Sequence, residues 1–168
     1  MHRRIMLGLC VATLSASFLI TGSSFAQQSL KEQLLGAWTL VSASSKLPDG
    51  TPVWGANPIG LIVFSSSGHY SSQLMRSDLP KYASNNRANG TPEEYKAIGI
   101  GTIASFGTYS VNEENKTVTI SYDGSTFPNR KGAKETRPFV IEGDQLRITN
   151  PVPSTGGESS QLVYRRAK

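Results

Sequence analysis

Beyond Ala26 the chain has one histidine, His69, and no cysteine, since His2 and Cys10 both precede that point. A zinc cluster of His and Cys ligands therefore has no donor set, and a cysteine nucleophile is absent. A Ser-His-acid triad would have to recruit His69, which directly follows Ser67-Gly68 at a turn, where a solvated histidine is the simpler reading. The twelve acids sit mostly where turns and helix starts use them: Asp49 in Pro48-Asp49-Gly50, Glu93 and Glu94 after Thr91-Pro92, Glu113 and Glu114 in one hairpin, Glu142 and Asp144 in another. Asp78, Asp123 and Glu135 are free of such duties, but no spacing pairs them as the acid and base of a hydrolase. Gly99-Ile100-Gly101 follows a helix signal, whereas a phosphate-cradling loop precedes one.

What remains is binding chemistry. In His69 to Arg76 the middle residues are Ser71-Ser72-Gln73, and the later run Ser105 to Val111 mixes Ser105, Gly107, Thr108 and Ser110 with Phe106 and Tyr109. Small side chains on the inner face of an eight-stranded barrel leave room for one small ligand. The candidate wall is Met75, Phe106, Tyr109, Tyr122 and Phe127, with Arg76 and Arg137 as polar anchors. The alternatives are ordinary core packing for each aromatic and a solvated strand face for each arginine.

The elements that must position these residues are strands. Gly, Pro, Asn or Asp interrupts the chain every eight to twelve residues past Leu35, the rhythm of an all-β sandwich or barrel. Eight strands are expected, at 35–46, 59–65, 69–76, 104–112, 116–123, 135–142, 145–150 and 160–166. Ser67-Gly68, Glu114-Asn115 and Gly143-Asp144 provide tight turns between neighbours, so an up-and-down antiparallel barrel is the expected architecture. Val118, Ile120 and Tyr122 share one face of their strand. A single short helix between the third and fourth strands is expected from Thr91-Pro92-Glu93-Glu94, which combines a capping residue, a proline at the first helical position and a glutamate three past the cap. Gly99 and Gly101 are expected to end it. The polar segment 77–90 before it reads as a lid or a mobile surface loop.

The first residues have a different character. Arg3 and Arg4 precede an apolar run from Ile5 to Ile20, and Ser24-Phe25-Ala26 ends in small residues. This is the pattern of a secretory signal cut after Ala26. A run of 16 residues, broken by Gly8, Thr13, Ser15 and Ser17, is short against the ~20 needed to span a bilayer. The expected organisation is a removed leader, 1–26, and one domain, 27–168, exported to the periplasm or the medium with no membrane span after cleavage. The 142 residues that remain suffice for one core burying roughly two-thirds of the unfolded surface. They carry 15 basic and 12 acidic residues, net +3, with the basic ones scattered apart from Arg165, Arg166 and Lys168. A nucleic-acid surface needs a dense basic stripe, so no nucleic-acid partner is expected.

The ordered segments Leu34-Leu35-Gly36-Ala37-Trp38-Thr39-Leu40, Asn57-Pro58-Ile59-Gly60-Leu61, Gly68-His69-Tyr70, Phe106-Gly107-Thr108-Tyr109 and Gly124-Ser125-Thr126-Phe127-Pro128-Asn129 resemble those of the bacterial and fungal lipocalin-like domain proteins. These belong to the calycin group of eight-stranded barrels. The resemblance runs over nearly all of residues 30 to 166. It implies a β-barrel closed at one end, with Gly36 and Trp38 near the closed end as a structural plug, and a small, mostly apolar ligand inside. The chain departs from the expected pattern twice: no histidine stands around Ser121-Tyr122-Asp123-Gly124, and Arg130 follows Phe127-Pro128-Asn129 where an aromatic is expected. The function expected is non-catalytic binding of a small hydrophobic or amphipathic molecule, with no cofactor. Two alternatives stay open: a cofactor-free isomerase or cyclase using the cavity, and a cell-envelope structural protein with a filled barrel.

Overall fold

The computed structural model describes residues 28–168. The expected leader and its cleavage site lie outside them. The described chain runs α1 (Leu30–Leu34), β1 (Gly36–Ala43), β2 (Ile59–Phe64), β3 (His69–Met75), α2 (Pro92–Gly101), β4 (Thr102–Asn112), β5 (Thr117–Ser125), a 3-10 turn (Pro128–Arg130), β6 (Lys134–Glu142), β7 (Gln145–Asn150) and β8 (Ser160–Arg166). Each strand pairs antiparallel with the next and β8 closes on β1, giving an up-and-down eight-stranded barrel.

The turns divide the barrel into two unlike ends. Ser65 to Gly68, Glu113 to Lys116 and Gly143-Asp144 make three short hairpins at one end, where β1 also starts and β8 finishes. The residues that connect β1 to β2, β3 to β4, β5 to β6 and β7 to β8 all lie at the other end and are longer. Alternation puts every second side chain inside, so Tyr70, Leu74, Val118, Ile120, Tyr122, Phe139, Leu146, Ile148, Leu162 and Tyr164 are buried within one core.

At the hairpin end the barrel is sealed. Ser29 and Glu32 form a capping box at the start of α1, and the amides of Leu30 and Lys31 donate to the Glu113 carboxylate at 2.8 and 3.0 Å. The carbonyls at its other end are met by side chains: the Trp38 indole N–H donates to Leu34 O at 2.8 Å, and Arg166 donates to Leu35 O and Gln33 O at 3.1 and 2.9 Å. The Arg166 guanidinium also lies 4.1 Å from the centre of the Trp38 ring, a cation–π contact. Both termini of α1 thus have partners for groups that a helix end leaves unsatisfied. Gly36 turns the chain from α1 into β1 at φ +104°, a conformation open to glycine and strained for other residues.

The elements refine the expectation in detail. β1 stops at Ala43, short of residue 46: its pairing with β8 shifts at a bulge between Leu40 and Ser42, resumes at Ser42 and Ala43, and then gives way to the long open-end connection. α2 ends at Gly101, the second of the two glycines expected to end it, having run through Gly99, and passes directly into β4 at Thr102; one glycine weakens a helix without stopping it. The segment before α2 is fastened to the helix: Glu94 accepts from the amides of Ala83 and Thr91, both at 2.8 Å, and Tyr82 packs against Tyr95.

Candidate functional site

Towards the open end the interior is not filled. Serines at inward positions, Ser72 on β3 and Ser105 on β4, stand beside Ile120, Ile148 and Leu162 and leave a cavity of about 40 Å³ as seen by the centre of a water-sized molecule. That holds roughly three waters, taking ~10–15 Å³ for one. Trp54 and Pro153 to Thr155, from the two long connections β1–β2 and β7–β8, form its rim. Above it lies a wider vestibule of about 320 Å³, walled by Leu47, Ile100, Thr126 and Phe127, which shares Trp54, Ile103, Ser154 and Thr155 with the cavity below.

One side of the cavity is charged. The inward residues of β6 include Glu135, Arg137 and Phe139; Arg137 lines the cavity, Arg130 reaches the same wall from the 3-10 turn, and Glu135 binds both. Glu135 accepts from Arg130 Nε at 2.9 Å and from Arg137 Nη2, and receives the Tyr122 hydroxyl at 2.8 Å. Arg137 Nη2 also donates to the Tyr122 oxygen at 2.9 Å, and the Arg130 guanidinium lies 5.2 Å from the centre of the Tyr122 ring. Burial pushes the Glu135 carboxyl up, but the charge of Arg137, its hydrogen bond, the Tyr122 hydroxyl and the charge of Arg130 together hold it below its ordinary value. Glu135 is therefore ionised at neutral pH. Two guanidiniums face one carboxylate, a net charge of +1 at the cavity wall.

The hydroxyls around this group stay protonated. Burial raises Tyr70, Tyr122 and Tyr164 above the ordinary tyrosine value, while the charge of Arg137 draws each of them the other way. The side chains of Ser105 and Ser72 stand beside the Tyr70 and Tyr164 hydroxyls and also draw them down, and all three tyrosines line the cavity together with Arg137. Tyr70 stands edge-on to Tyr122 at 6.2 Å between ring centres. Four polar atoms on cavity-lining residues are buried without a hydrogen-bond partner among the described residues: Arg137 Nε, Trp54 Nε1 and the hydroxyls of Tyr70 and Tyr164. The first two are donors only.

Of the candidate wall read from the sequence, Tyr122 and Arg137 line the cavity and Phe127 lines the vestibule. The remaining four lie elsewhere. Tyr109 is nearer the sealed end, edge-on to Phe64 at 4.9 Å, with its hydroxyl donating to Ser65 O at 2.8 Å. Met75 follows the inward Leu74 and so belongs to the outer face of β3, half-buried. Arg76 is bound by both carboxylate oxygens of Asp78 at 2.7 Å, just beyond β3. Phe106 is 57 % exposed on the outside of β4, where its ring covers Gly124 of β5. His69 is exposed at the sealed end, its Nδ1 at 3.2 Å from Ser67 Oγ.

Several residues that shape the cavity stand outside the candidate wall read from the sequence, although Ser72, Glu135 and Arg130 were each singled out there on other grounds. Tyr70 and Ser72 share parity with Leu74 on β3, and Glu135 shares parity with Arg137 on β6, so strand alternation was the available signal. Trp54 and Arg130 come from connections, where no period marks the inward side.

The family model of the lipocalin-like domain matches residues 35–167. A search of the curated proteins finds no match.

Proposed function

The chain belongs to the lipocalin-like domain family, whose barrel supports ligand binding in general, and from that premise we propose that it is an exported, non-catalytic binding protein for a small amphipathic molecule. The observation that carries the reading is the pairing of a sealed end, plugged by Trp38 and α1, with an unfilled interior that opens through a vestibule at the far end. A filled barrel would have large side chains where Ser72 and Ser105 stand. The vestibule supplies apolar wall from Leu47, Ile100, Ile103 and Phe127, and the cavity beneath supplies polar groups, the usual division in a small-molecule site. Tyr122, which a catalytic reading would use as proton donor, has its hydroxyl engaged by both Glu135 and Arg137, which favours a role in holding the site together. The basic, apolar and small-residue order of positions 1–26 supports export.

The neutral fluorescent probe N-phenyl-1-naphthylamine tests the barrel as the binding place. It should bind with a blue shift, and Ser105→Phe, which places a ring in the cavity, should abolish the signal. Native mass spectrometry of protein purified from its own host should show a mature chain beginning at Gln27 together with a bound small molecule. Absence of probe binding, or binding unchanged in Ser105→Phe, would overturn the proposal.

A further inference from the structure

The unpartnered groups in the cavity share a chemical sense. Arg137 makes both of its hydrogen bonds through Nη2, leaving Nε buried and without a partner among the described residues, on a side chain only 9 % exposed. Trp54 offers an indole N–H in the same position, and the Tyr70 and Tyr164 hydroxyls are protonated and buried, with no fully formed hydrogen bond although the Ser105 and Ser72 side chains lie beside them. Donors in a buried site call for an acceptor. The charges say the same: Arg130 and Arg137 against Glu135 leave one positive charge uncompensated in a low-dielectric interior, where a buried charge needs a partner.

We propose that the ligand is an amphipathic monocarboxylic acid whose carboxylate is received by Arg137 Nε beside the hydroxyls of Tyr70 and Tyr164, with its apolar part passing Trp54 into the vestibule. A single negative charge balances the site, whereas a phosphate dianion would overshoot it. The cavity's 40 Å³ suits a carboxylate, and the 320 Å³ vestibule takes the apolar remainder. Uncharged amphiphiles would leave the extra positive charge of the wall bare.

This inference rests on the ligand-binding reading above, and the test separates the two. Octanoate and 1-octanol have the same chain length and differ in the head group. Each is titrated against the intact protein by calorimetry, with Trp54 fluorescence as a second readout, and each competes with N-phenyl-1-naphthylamine. Octanoate should bind at least tenfold more tightly than octanol, although octanol is the more apolar of the two. Arg137→Gln should erase that preference, and Glu135→Gln, which adds to the net positive charge, should increase it. Octanol binding as well as octanoate in the wild-type protein would overturn the carboxylate assignment while leaving the barrel reading intact. The carboxylate assignment falls in the same way if the probe binds and neither compound displaces it. Failure of the probe and both compounds to bind overturns both proposals. The wild-type comparison needs no variant, so a folding defect in Arg137→Gln does not shelter the idea.

Discussion

Glu135→Gln removes the negative charge around which the cavity wall is organised. The carboxylate is 22 % exposed and takes two charge-assisted hydrogen bonds, from Arg130 Nε and Arg137 Nη2, besides that of Tyr122. Hydrogen bonds to charged groups contribute about 1.5–3 kcal/mol each, and breaking a buried ion pair from one side costs roughly 3–5 kcal/mol because the partner charge stays buried. The expected loss is therefore about 3–5 kcal/mol. For a domain of this size it lowers Tm by roughly 10–20 °C. Urea denaturation followed by far-ultraviolet circular dichroism measures it. Adding Arg137→Gln should restore part of the loss, since the second change removes a cation left unpaired by the first. The pH dependence has a definite sign. The folded Glu135 pKa lies below the ordinary glutamate value of 4.5, so its stabilisation is complete above that value and disappears as pH falls through the lower, folded one. Other depressed carboxyls, Asp49, Asp78 and Glu94, titrate in the same region. The difference between wild type and Glu135→Gln isolates this group: it should be largest above about pH 5 and shrink in acid. A loss under about 1 kcal/mol, or a difference that does not change with pH, would mean that water reaches the pair and that the wall is not buried.

Two further variants address the frame. Trp38→Ala removes a fully buried side chain together with the donor to Leu34 O and the surface on which Arg166 lies; unfolding should become easier by roughly 3–5 kcal/mol, and a loss well below 1 would show that the seal does not depend on this residue. At Gly107 a β-carbon would stand 2.0 Å from the Ser121 carbonyl oxygen and 2.9 Å from the Asp123 amide nitrogen, so Gly107→Ala should part β4 from β5 at their bulge. Hydrogen exchange should then show loss of protection in that strand pair, and retained protection would contradict so close an approach of the two backbones.

The architecture was legible in the sequence because it is repetitive: hairpin turns and two-residue alternation recur along the chain, and each instance supports the others. The site was legible only in part. In β4, Phe106 and Tyr109 are three apart and so face opposite sides of the sheet, yet both are large and apolar, and composition could not say which was inside. The decisive partner is Gly124, which sits opposite Phe106 and is covered by its ring, but that pairing requires the register. Met75 and Arg76 pose the same difficulty at the end of β3. Glu135 was one of the three acids that no turn or cap explained, and it is the one that meets Arg130 and Arg137 at the cavity wall, whereas Asp78 pairs with Arg76 outside it. Arg130 stood out as a departure from the expected family pattern, although nothing local indicated that a 3-10 turn would deliver it into the barrel.

The seal at the hairpin end also sets an order of events during synthesis. Leu40 pairs with Tyr164, 124 positions later, while the other strands pair with immediate neighbours. A chain emerging from its amino end can form the local hairpins early, since short loops close at small entropic cost. It cannot join β1 to β8, or place Arg166 on Trp38, until the eighth strand has been made. A chain broken off before β8 would keep two open sheet edges, β1 and whichever strand it ended on, and unpaired edges invite association with other chains. Closure thus acts as a check on completeness: the barrel acquires its interior, and any binding property that depends on it, only after the strand carrying Arg166 has been added.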